Sequence, residues 1–228
     1  MRTVLLHGFT GGAGSFAHLG HHTFDLPGHG EAPPASSWEA ALSMLEPRLL
    51  GDGPLLLCGY SLGARLALAL ALRRPPAHLV LLSGTAGIRD AHERATRLRD
   101  DARLADALER DGLPAFLQQW ERNPVLQREL PPELDAQVRK ERLRNTAASL
   151  ASALRSLGAG AQPSYWDRLG ELRTRVTLVT GARDEKFTSL GRELQARIAG
   201  ARLLVLDQCG HAPHLEQPSA VKQLLEEA

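Results

Sequence analysis

The sequence predicts an α/β protein with a mostly parallel sheet covered on both faces, and three observations carry that expectation. Short apolar runs bounded by Gly, Pro or Asp recur at 3–6, 22–24, 54–58, 79–82, 176–180 and 203–206, and helical patterns separate them. Strands that alternate with helices pair in parallel, because each crossover helix returns the chain to the same end of the sheet. One interval, 89–161, breaks the rhythm and holds no strand candidate. One junction, Gly59-Tyr60-Ser61-Leu62-Gly63, passes from strand to helix with glycines where neither element could bear a side chain.

Each element has its own reason. Thr3-Val4-Leu5-Leu6 reads as a core strand from the outset, so no targeting leader is expected before it. The run at 22–24 precedes Asp25-Leu26-Pro27-Gly28-His29-Gly30, a structural turn. Helical spacing follows over 37–50. The strand at 54–58 enters the Gly59–Gly63 junction, and the Ala/Leu-rich stretch 62–73 leaves it as a good helix former. The strand at 79–82 is followed by residues 89–161, rich in Arg, Glu, Asp, Ala and Leu, which Pro114, Pro124 and Pro131-Pro132 divide into short helices. This insertion is expected as a lid above the strand ends, where open α/β sheets bind ligands, leaving 1–88 and 162–228 as the core. The strands at 176–180 and 203–206, with helices at 188–199 and 218–227, complete it.

Composition excludes several functions. With 228 residues and 43% hydrophobic content, one sizeable core and one domain are expected. Net charge is +1 with both signs mixed, which points to neither nucleic acid nor a membrane surface, and no apolar run approaches the roughly 18 residues of a span. Cys58 and Cys209 lack metal-ligand spacing and read as free thiols in a reducing, cytoplasmic compartment. The partner expected is a small-molecule substrate; the sequence specifies no oligomeric state.

Ser61, Asp184 and His211 carry the chemistry. Each lies just past the C-terminal end of an expected strand, in the order Ser…Asp…His of α/β-hydrolases. A serine hydroxyl needs a base, which His211 can be, and Asp184 can fix the imidazole tautomer. The Gly-x-Ser-x-Gly turn lifts Ser61 off the sheet, and the N–H of Leu62 together with that of Phe9, in Leu6-His7-Gly8-Phe9, are candidates for an oxyanion hole. His214 is the rival base, and His211-x-x-His214 the one hint of a metal, which no carboxylate motif supports. Gly11-Gly12-Ala13-Gly14 lacks the Lys-Ser/Thr of a phosphate loop and reads as a mobile loop beside the site, so no cofactor is expected. His18, His21, His22 and His29 read as surface or turn residues. Arg65 lies one turn after Ser61 on the same helical face, near the positive end of the helix dipole, so function or a local carboxylate should compensate it.

Several segments together resemble one family. Leu6-His7-Gly8-Phe9-Thr10-Gly11, the Asp25–Gly30 turn and Gly59–Gly63 are general α/β-hydrolase features. Arg65, Trp120-x-x-Asn123-Pro124, Gly158-Ala159-Gly160-Ala161-Gln162-Pro163 and Asp184-Glu185-Lys186-Phe187 resemble the 2-succinyl-6-hydroxy-2,4-cyclohexadiene-1-carboxylate synthases of menaquinone biosynthesis. The resemblance spans nearly the whole chain. It implies a lyase that eliminates pyruvate from 2-succinyl-5-enolpyruvyl-6-hydroxy-3-cyclohexene-1-carboxylate, with the serine as a base and the oxyanion hole holding an enolate. It further implies that Arg65, Arg97 and Arg142 bind the substrate's carboxylates and that Tyr60 and Trp120 line the pocket. Arg144 lies close enough in sequence to exchange places with Arg142.

The sequence departs from the family in small ways. Ala64 and Ala159 replace the usual Gly and Thr, and the antiparallel hairpin expected before the first strand is missing, which leaves six strands and exposes a sheet edge. Two other readings stay open on the same residues: a serine-triad carboxylesterase or carbon–carbon bond hydrolase, with an apolar acyl pocket, and a non-catalytic binding protein on the same fold.

Overall fold

A computed structural model describes residues 1–21, 23–126 and 128–227. Five strands form one sheet: β1 (Arg2–Leu6), β2 (Leu55–Tyr60), β3 (His78–Leu82), β4 (Arg175–Gly181) and β5 (Arg202–Leu206). They lie in sequence order, and every ladder is parallel. The central strands are buried almost end to end, as a sheet covered on both faces requires.

Side-chain alternation assigns the two faces. Val4, Leu6, Leu55, Leu57, Leu79, Leu81, Val176 and Leu178 point to one core, with residues of α1 (Trp38–Leu45), α2 (Leu62–Arg73) and α7 (Glu185–Arg197). Leu5, Leu56, Cys58, Val80, Leu82 and Val179 point to the other, with Phe16, Leu19 and two residues of α9 (Pro218–Glu226). The period of two along every strand is the physical basis of both layers.

Of the six strands expected, five form among the described residues. In the run expected at 22–24, Thr23 and Phe24 are not strand, and His22 lies outside the described residues. The segment still tracks β1. Thr23 Oγ1 donates to Leu5 O, and the Leu26 N–H donates to His7 Nε2 at 3.0 Å. The Thr23 N–H goes to Ala13 O at 3.2 Å and its hydroxyl takes Leu5 O, so the segment is held beside β1 without a ladder. The helix expected over 37–50 ends at Leu45 and continues as a 3₁₀ turn through Leu49, because Pro47 has no N–H to extend it.

Between β3 and β4 lie α3 (Ala91–Asp111), α4 (Leu113–Glu121), α5 (Pro132–Arg142) and α6 (Ala147–Leu157). Pro114 and Pro132 sit in the first turns of α4 and α5, where a missing N–H costs nothing. Asp90 and Thr146 cap α3 and α6, accepting from Glu93 N at 2.7 Å and Ser149 N at 3.1 Å. Ala105, Leu108, Phe116, Leu117, Leu150, Ala151 and Leu154 give α3, α4 and α6 a core of their own. A four-residue helix, α8 (Pro213–Glu216), follows His211.

Candidate active site

Ser61 sits between β2 and α2 with φ of 51° and ψ of −106°, a conformation costly for a residue with a side chain. The surroundings enforce it. A Cβ on Gly59 would collide with the Gly63 backbone, and one on Gly63 with the carbonyls of Leu6 and His7. The Ser61 N–H donates to Leu82 O at 2.9 Å, fastening the turn to β3.

Three loops at the C-terminal ends of β2, β4 and β5 meet here. Ser61 Oγ lies 3.1 Å from His211 Nε2, and His211 Nδ1 lies 2.6 Å from Asp184 Oδ2. The carboxylate requires Nδ1–H as donor, which leaves Nε2 to accept the serine hydroxyl. His211 and Asp184 are buried, at 4% and 6% exposure. Asp184 is also the N-cap of α7: its Oδ1 accepts the Phe187 N–H at 3.2 Å, so one carboxylate serves both helix and imidazole. The Phe187 ring packs edge-on against His211 with centroids 4.4 Å apart.

The N–H groups of Phe9 and Leu62 donate to no protein acceptor among the described residues. Both residues line a cavity of about 550 Å³ that also reaches Ser61, Arg65, Arg97, Lys186 and Phe187. A second cavity of about 70 Å³ reaches Ser61 from the other side, past Tyr60, Arg128, Arg142 and His214. Phe9 and Trp120 border both, with ring centroids 5.3 Å apart.

The arginines have partners within the protein. Arg65 donates to Leu157 O at 2.9 Å, to Gly158 O at 3.4 Å and to Gln162 Oε1 at 3.2 Å. Its unfavourable place in α2 is thus offset by the carbonyl end of α6, not by a carboxylate. Burial and then Arg97 pull its guanidinium down to about 10, with Asp101 opposing. Arg97 Nε donates to Asp101 Oδ1 at 2.7 Å, and Asp101 Oδ2 accepts the Gly160 N–H at 3.0 Å. Arg142 is buried and donates to Glu121 Oε1 at 2.7 Å. Burial, and then Arg128, lower its guanidinium below the ordinary value. Arg144 points elsewhere, pairing with Asp25 at 3.1 Å and Glu141 at 3.1 Å. Tyr60 lies beside Arg142 in the smaller cavity, its hydroxyl pushed up to about 12 by burial.

One expectation needs correction. The Gly11–Gly14 loop is tied down on carboxylates: Ala13 N–H donates to Asp25 at 2.7 Å and Gly14 N–H to Glu141 at 3.0 Å. Its amides could hold an anion, and the protein supplies one from α5. Of the two readings of His29, surface or turn, it takes the turn: it is fully buried there, and burial lowers it to about 3. His214 is also buried, and burial holds it neutral; its ring packs on Tyr60 at 4.3 Å, while the Ser61 bond goes to His211. Among the described residues no group of three or more His, Cys, Asp or Glu side chains could hold a metal ion. No helix among them is long and apolar enough to cross a membrane.

Sequence reading missed Glu216. Its carboxylate, 4% exposed at the side chain, accepts from Gly210 N at 2.8 Å and Ala212 N at 3.1 Å, and pairs with Arg183 at 2.9 Å. No local spacing announces this, because a carboxylate five residues past a histidine has no fixed role. It also passed over Arg128, which lines the smaller cavity beside Arg142.

The family model described as "Alpha/beta hydrolase family" matches residues 3–224. A Bacillus subtilis (strain 168) relative provisionally designated a 2-succinyl-6-hydroxy-2,4-cyclohexadiene-1-carboxylate synthase is 34% identical, over 98% of this chain and 88% of its own. The enzyme of that name from Salmonella agona (strain SL483) is 31% identical, over 96% of this chain and 89% of its own. The solved structure of MenH from S. aureus superimposes with a TM-score of 0.94 at 29% identity, covering 100% of this chain and 92% of that one. The chain therefore belongs to the alpha/beta hydrolase family and, within it, to the 2-succinyl-6-hydroxy-2,4-cyclohexadiene-1-carboxylate synthases.

Proposed function

We propose that this chain catalyses the reaction for which its relatives are named. It eliminates pyruvate from 2-succinyl-5-enolpyruvyl-6-hydroxy-3-cyclohexene-1-carboxylate and leaves 2-succinyl-6-hydroxy-2,4-cyclohexadiene-1-carboxylate. The observation that carries this reading is His211 bridging Ser61 and Asp184 beneath two cavities with arginines on both sides of the serine.

In this reading Ser61 Oγ takes the proton from the carbon alpha to the succinyl ketone while its own proton passes to His211 Nε2. Asp184 stabilises the imidazolium that forms. The enolate oxygen is received by the free N–H groups of Phe9 and Leu62 at the start of α2, where the helix dipole adds to them. The electron pair then moves through the ring as the carbon–oxygen bond to the enolpyruvyl group breaks. His211 returns a proton to the departing enolate, which becomes pyruvate.

The substrate carries three carboxylates, and the donors left over divide the arginines. Arg97 engages Asp101 through Nε alone, and Arg142 engages Glu121 through NH1 alone, so each keeps donors for a carboxylate. Arg65 has committed NH1 and NH2 to α6 and the Gln162 side chain, so it binds anions less freely and locks the 89–161 helices over Ser61.

The test is to supply the enolpyruvyl substrate, follow pyruvate release, and quench at millisecond times for mass spectrometry. Pyruvate release with a deuterium effect at the alpha carbon and no Ser61 adduct is expected. A kinetically competent acyl-Ser61 would replace the lyase with an esterase.

A further inference from the structure

The loop that carries His211 has no secondary structure of its own to hold it. Residues 207–212 join β5 to α8 without regular hydrogen bonding, yet the imidazole must stay within reach of two side chains from other loops. One buried carboxylate spans the gap. Glu216 Oε2 accepts the Gly210 N–H and Oε1 accepts the Ala212 N–H, so the residues on either side of His211 both hang from the same side chain. The fit is close: a Cβ on Gly210 would sit 3.1 Å and 3.2 Å from the two carboxylate oxygens.

The same carboxylate reaches the Asp184 loop. Arg183, the residue before Asp184, donates from NH2 to Glu216 Oε2 at 2.9 Å. Its own N–H donates to Cys209 O at 2.9 Å, so side chain and backbone bind one loop to the other twice. Charge also balances, since the exposed Arg183 guanidinium is the partner that lets an anion sit buried at Glu216.

We propose that Glu216 is a positioning residue for His211, and that with Arg183 it forms a clamp setting the separation of His211 from Asp184 and Ser61. The proposal rests on the reading above, in which those three residues move the proton. Glu216 touches no reacting atom. It acts by holding the two amides that fix the direction of the imidazole, and misplacement of such a group by a fraction of an ångström is expensive in rate.

The choice of variant follows from hydrogen-bond chemistry. Glu216→Gln keeps the size but has one acceptor oxygen for two N–H groups, and its NH₂ would face a donor. Three readouts on the full-length protein separate positioning from bulk stability. These are kcat and KM for pyruvate elimination, the rate of Ser61 labelling by a fluorophosphonate, and the downfield proton resonance of the short His211–Asp184 bond. In Glu216→Gln, kcat and labelling are expected to fall about tenfold to a hundredfold, with KM within about twofold of wild type. The downfield resonance should shift or disappear while the far-ultraviolet spectrum stays native.

Arg183→Ala removes an exposed side chain and decides the matter where Glu216→Gln does not fold. It should lower labelling severalfold and move the same resonance, with the rest of the fold intact. Either folded variant with wild-type labelling and an unmoved resonance overturns the clamp. His211→Ala runs alongside: if it kept full activity, the underlying reading would fail on its own, whatever Glu216 does.

Discussion

Arg65, one turn beyond Ser61 in α2, donates to the carbonyl of Leu157 at the last residue of α6, 2.9 Å away. The helix that follows Ser61 and the 89–161 helices are thereby joined head to tail, a cation set against the negative end of a dipole. Arg65→Ala is expected to lower the melting temperature and loosen α6, in addition to any effect on substrate. Losing charge-assisted bonds to carbonyls should cost about 1.5–3 kcal/mol of stability, read by thermal melts. An unchanged melting temperature would confine Arg65 to the ligand.

For Arg97 and Arg142 the expected balance is reversed. Arg97→Ala and Arg142→Ala should lower kcat/KM for the carboxylate-rich substrate by one to two decades, from about 1.5–3 kcal/mol per lost contact. Hydrolysis of a small neutral ester, if any is detected, should hardly change. Equal losses on both substrates would make these arginines structural.

Asp184→Asn isolates orientation from folding. The amide oxygen can still cap α7 through the Phe187 N–H, so the melting curve should stay close to wild type. Turnover should fall by about four decades, because the imidazole loses the carboxylate that sets its tautomer. Ser61→Ala and His211→Ala should be comparably inactive, and combining them should add little. Near-normal turnover in a folded Asp184→Asn would remove Asp184 from the relay.

Acid should destabilise the protein before its carboxylates titrate. Burial lowers His7 to about 4, His29 to about 3 and His78 to about 4, each below the unfolded value of 6.5. The unfolded chain therefore binds more protons than the native one between pH 6.5 and about 4. Stability is complete above pH 6.5 and falls with decreasing pH by about 1.4 kcal/mol per unit for each such histidine. Melts from pH 7.5 to 4.5 should show the decline, with a shallower slope in His29→Gln. An identical slope in that variant would rule out His29 as a contributor.

Gly63→Ala should damage the fold itself. Its Cβ has nowhere to go but into the carbonyls of Leu6, the last residue of β1, and of His7, 2.7 Å from His7 O, and backbone cannot rotate away as a side chain can. A loss of about 3 kcal/mol in chemical denaturation is expected. A change below about 0.5 kcal/mol would mean the turn relaxes freely.

Much of this was legible in the residues, for identifiable reasons. Alternation along each strand depends only on the period of the chain, so the two faces of the sheet follow from Leu55-Leu56-Leu57-Cys58 and its counterparts without further information. The Gly59–Gly63 turn is equally local, since sterics within five residues dictate it. The failed strand at 22–24 shows the limit. An apolar run signals burial, but whether it pairs depends on which groups across space reach its backbone first: here the Thr23 N–H meets Ala13 O, and the Thr23 hydroxyl takes Leu5 O.

What the sequence by itself determined is therefore what periodicity and local sterics control: the strands and their faces, the strained serine turn, and the loops at strand ends that carry Ser61, Asp184 and His211. Tertiary structure alone decided the partners. Arg142 and Arg144 are two residues apart, and only the packing of α5 sends one to Glu121 beside Tyr60 and the other to Asp25. Arg65 meets α6 carbonyls 92 and 93 positions away, and Glu216 meets Arg183 33 positions away. Spacing along one helix fixes which residues share a face, but the charge or carbonyl that face will meet is set by where a distant segment comes to rest.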